Sequence, residues 1–155
     1  GDQGPLAGVS FQRRLERAAF AAGGGALRAP ATRVEDFLAG RASTTVPATS
    51  YQPGATATDL GVVLDAGLQG LAGRLRQGIQ QLDRVMRRFA SEALLLGVES
   101  RTSCPVRVPR DPDTLQALGL LGLYPSGEGA GYAGGIVSAA LDGIRVAKAL
   151  LSGLG

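Results

Sequence analysis

The 155-residue sequence predicts a helix-rich α+β fold with a few short strands. Long stretches place apolar residues at helical spacing, whereas short apolar runs bounded by Gly or Pro have the length of strands. Apolar residues make up 45% of the chain, a globular rather than a disordered composition. The length suits one domain with a hydrophobic core and is short for two.

Val9 to Ala22 reads as a helix, with Phe11, Leu15, Ala18, Ala19 and Ala22 on one face and Arg13, Arg14, Glu16 and Arg17 elsewhere. Gly23-Gly24-Gly25 ends it, since glycine readily takes the left-handed conformation past a helix end. Thr32 offers an N-cap for a short helix, Arg33 to Ala39, with Glu35 placed as in a capping box and Gly40 as the stop. Arg41 to Gly54 has no sustained period and reads as a loop, long enough to cover something. Leu64, Leu68, Leu71, Leu75, Ile79, Leu82, Met86 and Phe89 follow a 4-3-4-4-3-4-3 spacing, which predicts one long helix despite Gly67, Gly70, Gly73 and Gly78. Ala93 to Val98 has the length of a buried strand, and Pro105 to Pro109 reads as extended. Asp113 caps a brief helix through Leu118, and Leu120 to Tyr124 reads as a strand. Gly134 to Leu151 is the last helix, its buried face expected to be Ile136, Ala140, Ile144, Ala147 and Leu151.

The side-chain inventory excludes several chemistries. The chain has no histidine, one cysteine (Cys104) and one lysine (Lys148). A Cys/His zinc site and a Ser-His-Asp or Cys-His nucleophilic centre therefore lack their ligands and bases, and an intrachain disulfide lacks a second thiol. No metal site is expected, and no catalytic side chain stands out. A net charge of +3 is too small to argue for nucleic acid. The clusters Arg13, Arg14, Arg17 and Arg84, Arg87, Arg88 are read first as solvated helix faces. The competing reading is a non-enzymatic helical interaction module with an arginine-rich surface. A polar start without an apolar signal region, and the lack of a membrane-length apolar run, lead to the expectation of a cytoplasmic protein with no membrane partner.

The most informative stretch runs from Gly122 to Ile136. It contains GxGxxG at Gly129, Gly131 and Gly134, after an expected strand and at an expected helix start, the context of a dinucleotide-binding turn. Glycines let the backbone approach a phosphate or a ring, and a helix N-terminus offers free N–H groups. On the motif alone, an ordinary tight strand-to-helix turn accounts for it equally well. Within the 155 residues no second strand is expected after it to carry a ribose-binding acid, so the expectation is that it is not the first βαβ unit of a Rossmann domain.

Gly122 to Gly143 resembles the C-terminal flavin-binding segment of bacterial FAD-dependent dehydrogenases with two dinucleotide-binding domains. Glu99 to Arg107, Phe11 to Phe20 and Arg33 to Gly40 resemble further segments of that family, so the likeness runs from about Pro5 to Leu150. It implies the C-terminal portion of an FAD-dependent oxidoreductase without the N-terminal ADP-binding βαβ unit. Residues 1–92 would be a helical inserted or substrate-side region, and 93–155 the C-terminal part of the FAD-binding domain. The resemblance makes Gly127 and Glu128 the pair beside the flavin's ribityl chain. Gly129, Gly131, Tyr132, Gly134, Gly135 and Ile136 would form the turn and helix start beneath the ring, and Arg101, Thr102 and Ser103 a segment facing the flavin or its substrate. The less favoured alternative for Glu128 is a solvated turn residue; Tyr132 can be read as core, and Arg101 equally as paired with Glu99, Asp111 or a carboxylate elsewhere in the fold. FAD is the implied cofactor of the complete protein, bound weakly or not at all by this chain alone. The rest of its own flavoprotein chain and NAD(P)H are the implied partners. Cys104 stands where the family more often has serine.

Overall fold

A computed structural model describes residues 4–86 and 88–153. The chain divides into two compact units: Ser10–Ser100, and Gly1–Val9 with Arg101–Gly155. Six helices and three short strands are assigned among the described residues, an α+β, helix-rich architecture as the sequence predicts.

The first unit is built on a three-stranded sheet ordered β2-β1-β3, from β1 (Ala29–Arg33), β2 (Ala55–Ala57) and β3 (Leu94–Leu96). β1 runs parallel to β2 and antiparallel to β3. Only β3 falls where the sequence predicts a strand. Ala-Pro-Ala-Thr-Arg and Ala-Thr-Ala have little intrinsic strand preference, so β1 and β2 are set by their surroundings. Pro30 is tolerated in the central strand because it lies at the end of the β3 ladder. It accepts from the Gly97 N–H at 3.0 Å and no further ladder rung asks it to donate.

Thr32 does not cap the following helix. It is a fully buried residue of β1 whose hydroxyl donates to the Thr58 carbonyl at 2.7 Å and accepts from the Leu60 N–H at 2.9 Å. It thereby satisfies an orphan donor at the start of another helix, α3 (Leu60–Gly67), where Asp59 takes the Gly61 N–H at 2.7 Å. The short helix α2 (Val34–Ala39) starts one residue later than predicted and has no side-chain cap. Its buried Asp36 instead accepts from the Ser43 hydroxyl at 2.6 Å and pairs with Arg41, which ties down the loop after Gly40.

The long apolar periodicity is divided among three helices: α3, α4 (Leu71–Val85) and α5 (Phe89–Glu92). Leu68 is extended and Gly70 takes φ +80°, so the chain turns between α3 and α4. Asp65 then accepts from the Ala72 N–H at 2.9 Å, and Asp83 serves Ala90 in the same way at 2.8 Å after the left-handed Arg88. Across the first break Leu64, Leu71 and Ile79 face one core, whereas Leu68, Leu75, Leu82 and Met86 are 39–51% exposed. That core joins Leu15 and Ala19 of α1 (Ala7–Ala22) to Phe37, Leu60, Val63, Leu64 and Ala72. Gly67 packs closely there: a Cβ would stand 3.0 Å from the Leu15 side chain, which would have to shift to admit it.

The second unit departs further from expectation. Pro105 to Pro109 forms no strand, although the Val108 N–H reaches the Ala130 carbonyl and Arg110 bridges to Ala117. In place of a helix after Asp113, the Asp111 carboxylate gathers the N–H groups of Asp113 and Thr114 into a turn, and Leu115 takes φ +60°. Leu120 to Tyr124 is not a strand either. Positive φ at Gly119 and Gly122 folds it into turns, with Leu120, Leu121 and Leu123 exposed. The last helix, α6 (Ile136–Gly153), is present, but its orientation is the reverse of that expected. Ile136, Ala140, Ile144, Ala147 and Leu151 are all exposed, whereas Val146 is buried and Asp142 is half-buried. The apolar stripe faces outward because the inward face is claimed by an ion pair.

Candidate functional site: the glycine-rich turn and the start of α6

That ion pair anchors the turn. Arg110 meets Asp142 of α6 in a two-pronged contact of 3.0 and 2.6 Å, their side chains 4% and 12% exposed. Arg110 also donates to the Pro125 carbonyl at 2.7 Å, and Asp142 accepts the Gly127 N–H at 2.8 Å. The entry to the turn is therefore fastened to the second turn of α6. Hydrogen bonding to Arg110, reinforced by the Gly127 N–H, holds the Asp142 carboxyl below its usual range against the opposing effect of burial. The same bond raises Arg110 above the ordinary arginine value. Arg110 Nε is buried with no acceptor among the described residues.

Tyr132 is built into this anchor. Its hydroxyl donates to the Val108 carbonyl and accepts the Arg110 N–H, and its ring takes the Arg110 guanidinium 3.6 Å and the Arg107 guanidinium 4.9 Å from its centre. The Gly131 N–H closes onto Glu128 and the Tyr132 N–H onto Gly127, so residues 127–132 form a knot of turns. Gly127 and Gly131 have positive φ, and a Cβ at Gly131 would stand 2.4 Å from the Val106 carbonyl oxygen. Those two glycines are required by the fold itself. No strand precedes the motif, so the strand-to-helix context expected from the sequence is absent.

Gly129, Gly134 and Gly135 differ. None has positive φ. A Cβ at Gly129 would meet nothing within 4 Å, one at Gly134 only the Ser103 hydroxyl at 3.3 Å, and one at Gly135 only the Ser138 hydroxyl at 3.7 Å. Glu128 is exposed as they are, and Gly134, Gly135 and Ile136, the last 92% exposed, make an open start to α6. The first bond of the helix runs from the Ala139 N–H to the Gly135 carbonyl, so the N–H groups of Ile136, Val137 and Ser138 lack an intrahelical acceptor. The Gly135 N–H is taken by Ser138 Oγ at 3.1 Å.

Of the remaining expected residues, the fold brings Ser103 beside Gly134, while Arg101 and Thr102 are exposed at the start of the unit. Cys104 is a half-buried free thiol. Asp113, Thr114, Gln116 and Tyr124 help to line a separate cleft of about 360 Å³ that none of the expected site residues enters. Arg107, Arg110 and Asp142 were not legible as site residues. The available signal was Asp142, the one acid in an otherwise apolar stretch of α6. The site offers backbone donors, the Glu128 carboxylate and small residues that leave room, with no group of metal ligands among the described residues.

Comparison with known proteins bears on both units. A family model described as "FAD-dependent protein, C-terminal domain-like" matches residues 1–102, a range that encloses the unit Ser10–Ser100. An "Uncharacterized protein" of Clostridium beijerinckii is 43% identical over 152 residues, covering 95% of this chain. The chain spans only 27% of that relative's length. No helix among the described residues is long and apolar enough to cross a membrane.

Proposed function

The chain belongs to the FAD-dependent protein C-terminal domain-like family, and on that premise we propose that it supplies the flavin and ribityl side of the cofactor site in an FAD-dependent oxidoreductase of the dehydrogenase type. In this reading residues 1–92 are the substrate-side region and 93–155 complete the FAD-binding domain. The protein works in the cytoplasm, with the remainder of its own polypeptide and NAD(P)H as partners.

One observation carries the proposal. The start of α6 is open, with unclaimed N–H groups, and is approached through glycines that neither backbone conformation nor internal packing requires. The absence of a Cβ leaves a surface on which a planar group can lie close to the backbone. The flavin, when bound, supplies the redox chemistry itself, which suits a chain without histidine. Gly134, Gly135 and Ile136 present the backbone to the ring, and the partial positive charge of the helix start favours negative charge there. Glu128 is an exposed carboxylate that accepts a ribityl hydroxyl. Arg110 and Asp142 touch no cofactor in this scheme; they fix where the turn lies.

The test uses the full-length protein. It is expected to carry flavin absorption that bleaches on reduction. Ile136→Pro deletes one N–H while keeping a residue suited to the first helical position. It is expected to lower the two-electron midpoint potential by roughly 30 mV, the equivalent of losing about one such donor. A colourless full-length protein that is indifferent to added FAD would end the proposal.

A further inference from the structure

β3 lies at one edge of the sheet. Its rungs to β1 fall at Ala93, Leu95 and Gly97: the Val34 N–H reaches Ala93 O, Thr32 stands opposite Leu95, and the Gly97 N–H reaches Pro30 O. In an antiparallel ladder the intervening residues point their N–H and C=O groups the other way. Leu94 and Leu96 therefore present theirs to a side where no strand runs among the described residues. Edge strands are ordinarily guarded by charge, proline or a bulge. This one is Leu-Leu-Leu, with Leu96 44% exposed.

A cavity of about 290 Å³ opens along the same segment. Its walls include Leu95, Leu96 and Val98 from the strand and its continuation, and Leu15, Phe37 and Ile79 from the helices, with Glu99 as the single charged residue of the lining. That volume lies below the roughly 300–1,000 Å³ of ordinary ligand pockets, too small for a dinucleotide and suited to one or two apolar side chains. An unpaired backbone edge next to an apolar socket is the combination that receives an added strand, with main-chain bonds for affinity and a pocket for one side chain.

We infer that β3 is completed by a fourth strand from elsewhere in the full-length polypeptide, which pairs with Leu94 and Leu96 and sets a large apolar side chain into this cavity. The occupant is assigned to the same polypeptide because the chain aligns with only 27% of its Clostridium beijerinckii relative, which leaves most of such a protein to supply it. Glu99 at the rim favours a basic residue beside the anchoring side chain. The inference rests on the reading of this chain as part of a longer flavoprotein, but not on where the flavin binds.

The experiment uses the full-length protein. Residue-resolved amide exchange is expected to be at least 100-fold slower at Leu94 and Leu96 than at the exposed loop residue Ala48. Equal rates would overturn the inference. Leu96→Cys, carrying a short photo-crosslinker, is expected to capture a peptide of the same polypeptide from outside these 155 residues. Capture of β3 from a second, isotopically marked copy would replace the inference with a symmetric dimer. Flavin absorption of the same sample reads the cofactor proposal separately, so protection without flavin, or flavin without protection, shows which of the two has failed.

Discussion

Asp142 faces inward on α6, where most helices would place an aliphatic side chain, and its charge is held by Arg110 and the Gly127 N–H. Its folded pKa is depressed below the unfolded value of about 3.9. The contribution is therefore complete above that value and is lost as the pH falls through the lower folded pKa. Asp142→Asn should leave Arg110 buried without its counter-charge and cost about 3 kcal/mol at neutral pH. The lower end of the range for broken buried pairs applies because few atoms surround this one. Urea unfolding at pH 7 and in acid checks the sign: the gap between wild type and variant should narrow as acid protonates Asp142. At this scale the sequence singled out Gly134 through a glycine motif, and Glu128 and Ile136 only through the family resemblance. It did not reveal that the Tyr132 ring is occupied by Arg107 and Arg110, because those arginines lie more than twenty positions away along the chain.

Among the elements, α3 and α4 show why a sound apolar period still misplaced helix ends. Periodicity records a shared helical stripe; Leu64, Leu71 and Ile79 of that stripe face the core, while Leu68, Leu75, Leu82 and Met86 stay exposed. It does not record the left-handed Gly70 or the carboxylate that reaches across the break to Ala72. Asp65→Ala should remove that bond and cost about 1 kcal/mol, as for a lost helix cap. Asp65→Asn should retain most of the stability in the same chemical denaturation series. α1, α6 and β3 were legible because their patterns are local. β1 and β2 were not, since Ala-Pro-Ala and Ala-Thr-Ala become strands only when Thr32 is pinned between Thr58 and Leu60. The expected strand at Leu120 to Tyr124 failed for the opposite reason. Its leucines promised burial, but the left-handed Gly119 before it and Gly122 in its middle turn the backbone.

For the molecule as a whole, apolar surface is unevenly distributed. In the unit containing α6, the buried apolar residues among those described are Leu115, Ala117, Ala130 and Val146, whereas Ile136, Val137, Leu141, Ile144 and Leu151 are 53–92% exposed. So thin a core contributes little stability by itself. The 155-residue chain, expressed alone, should accordingly purify without flavin, while the full-length protein purifies with it. Absorption spectra at matched concentration make that comparison directly. The outward stripe of α6 has one further consequence. Lys148 is the sole lysine of the chain and sits exposed on that helix, among Ile144, Ala147 and Leu151. An acylating reagent thus has one side-chain amine to mark in this stretch of polypeptide. The rate at which mass spectrometry sees that peptide gain its label becomes a clock for whether the stripe is shielded in the full-length protein.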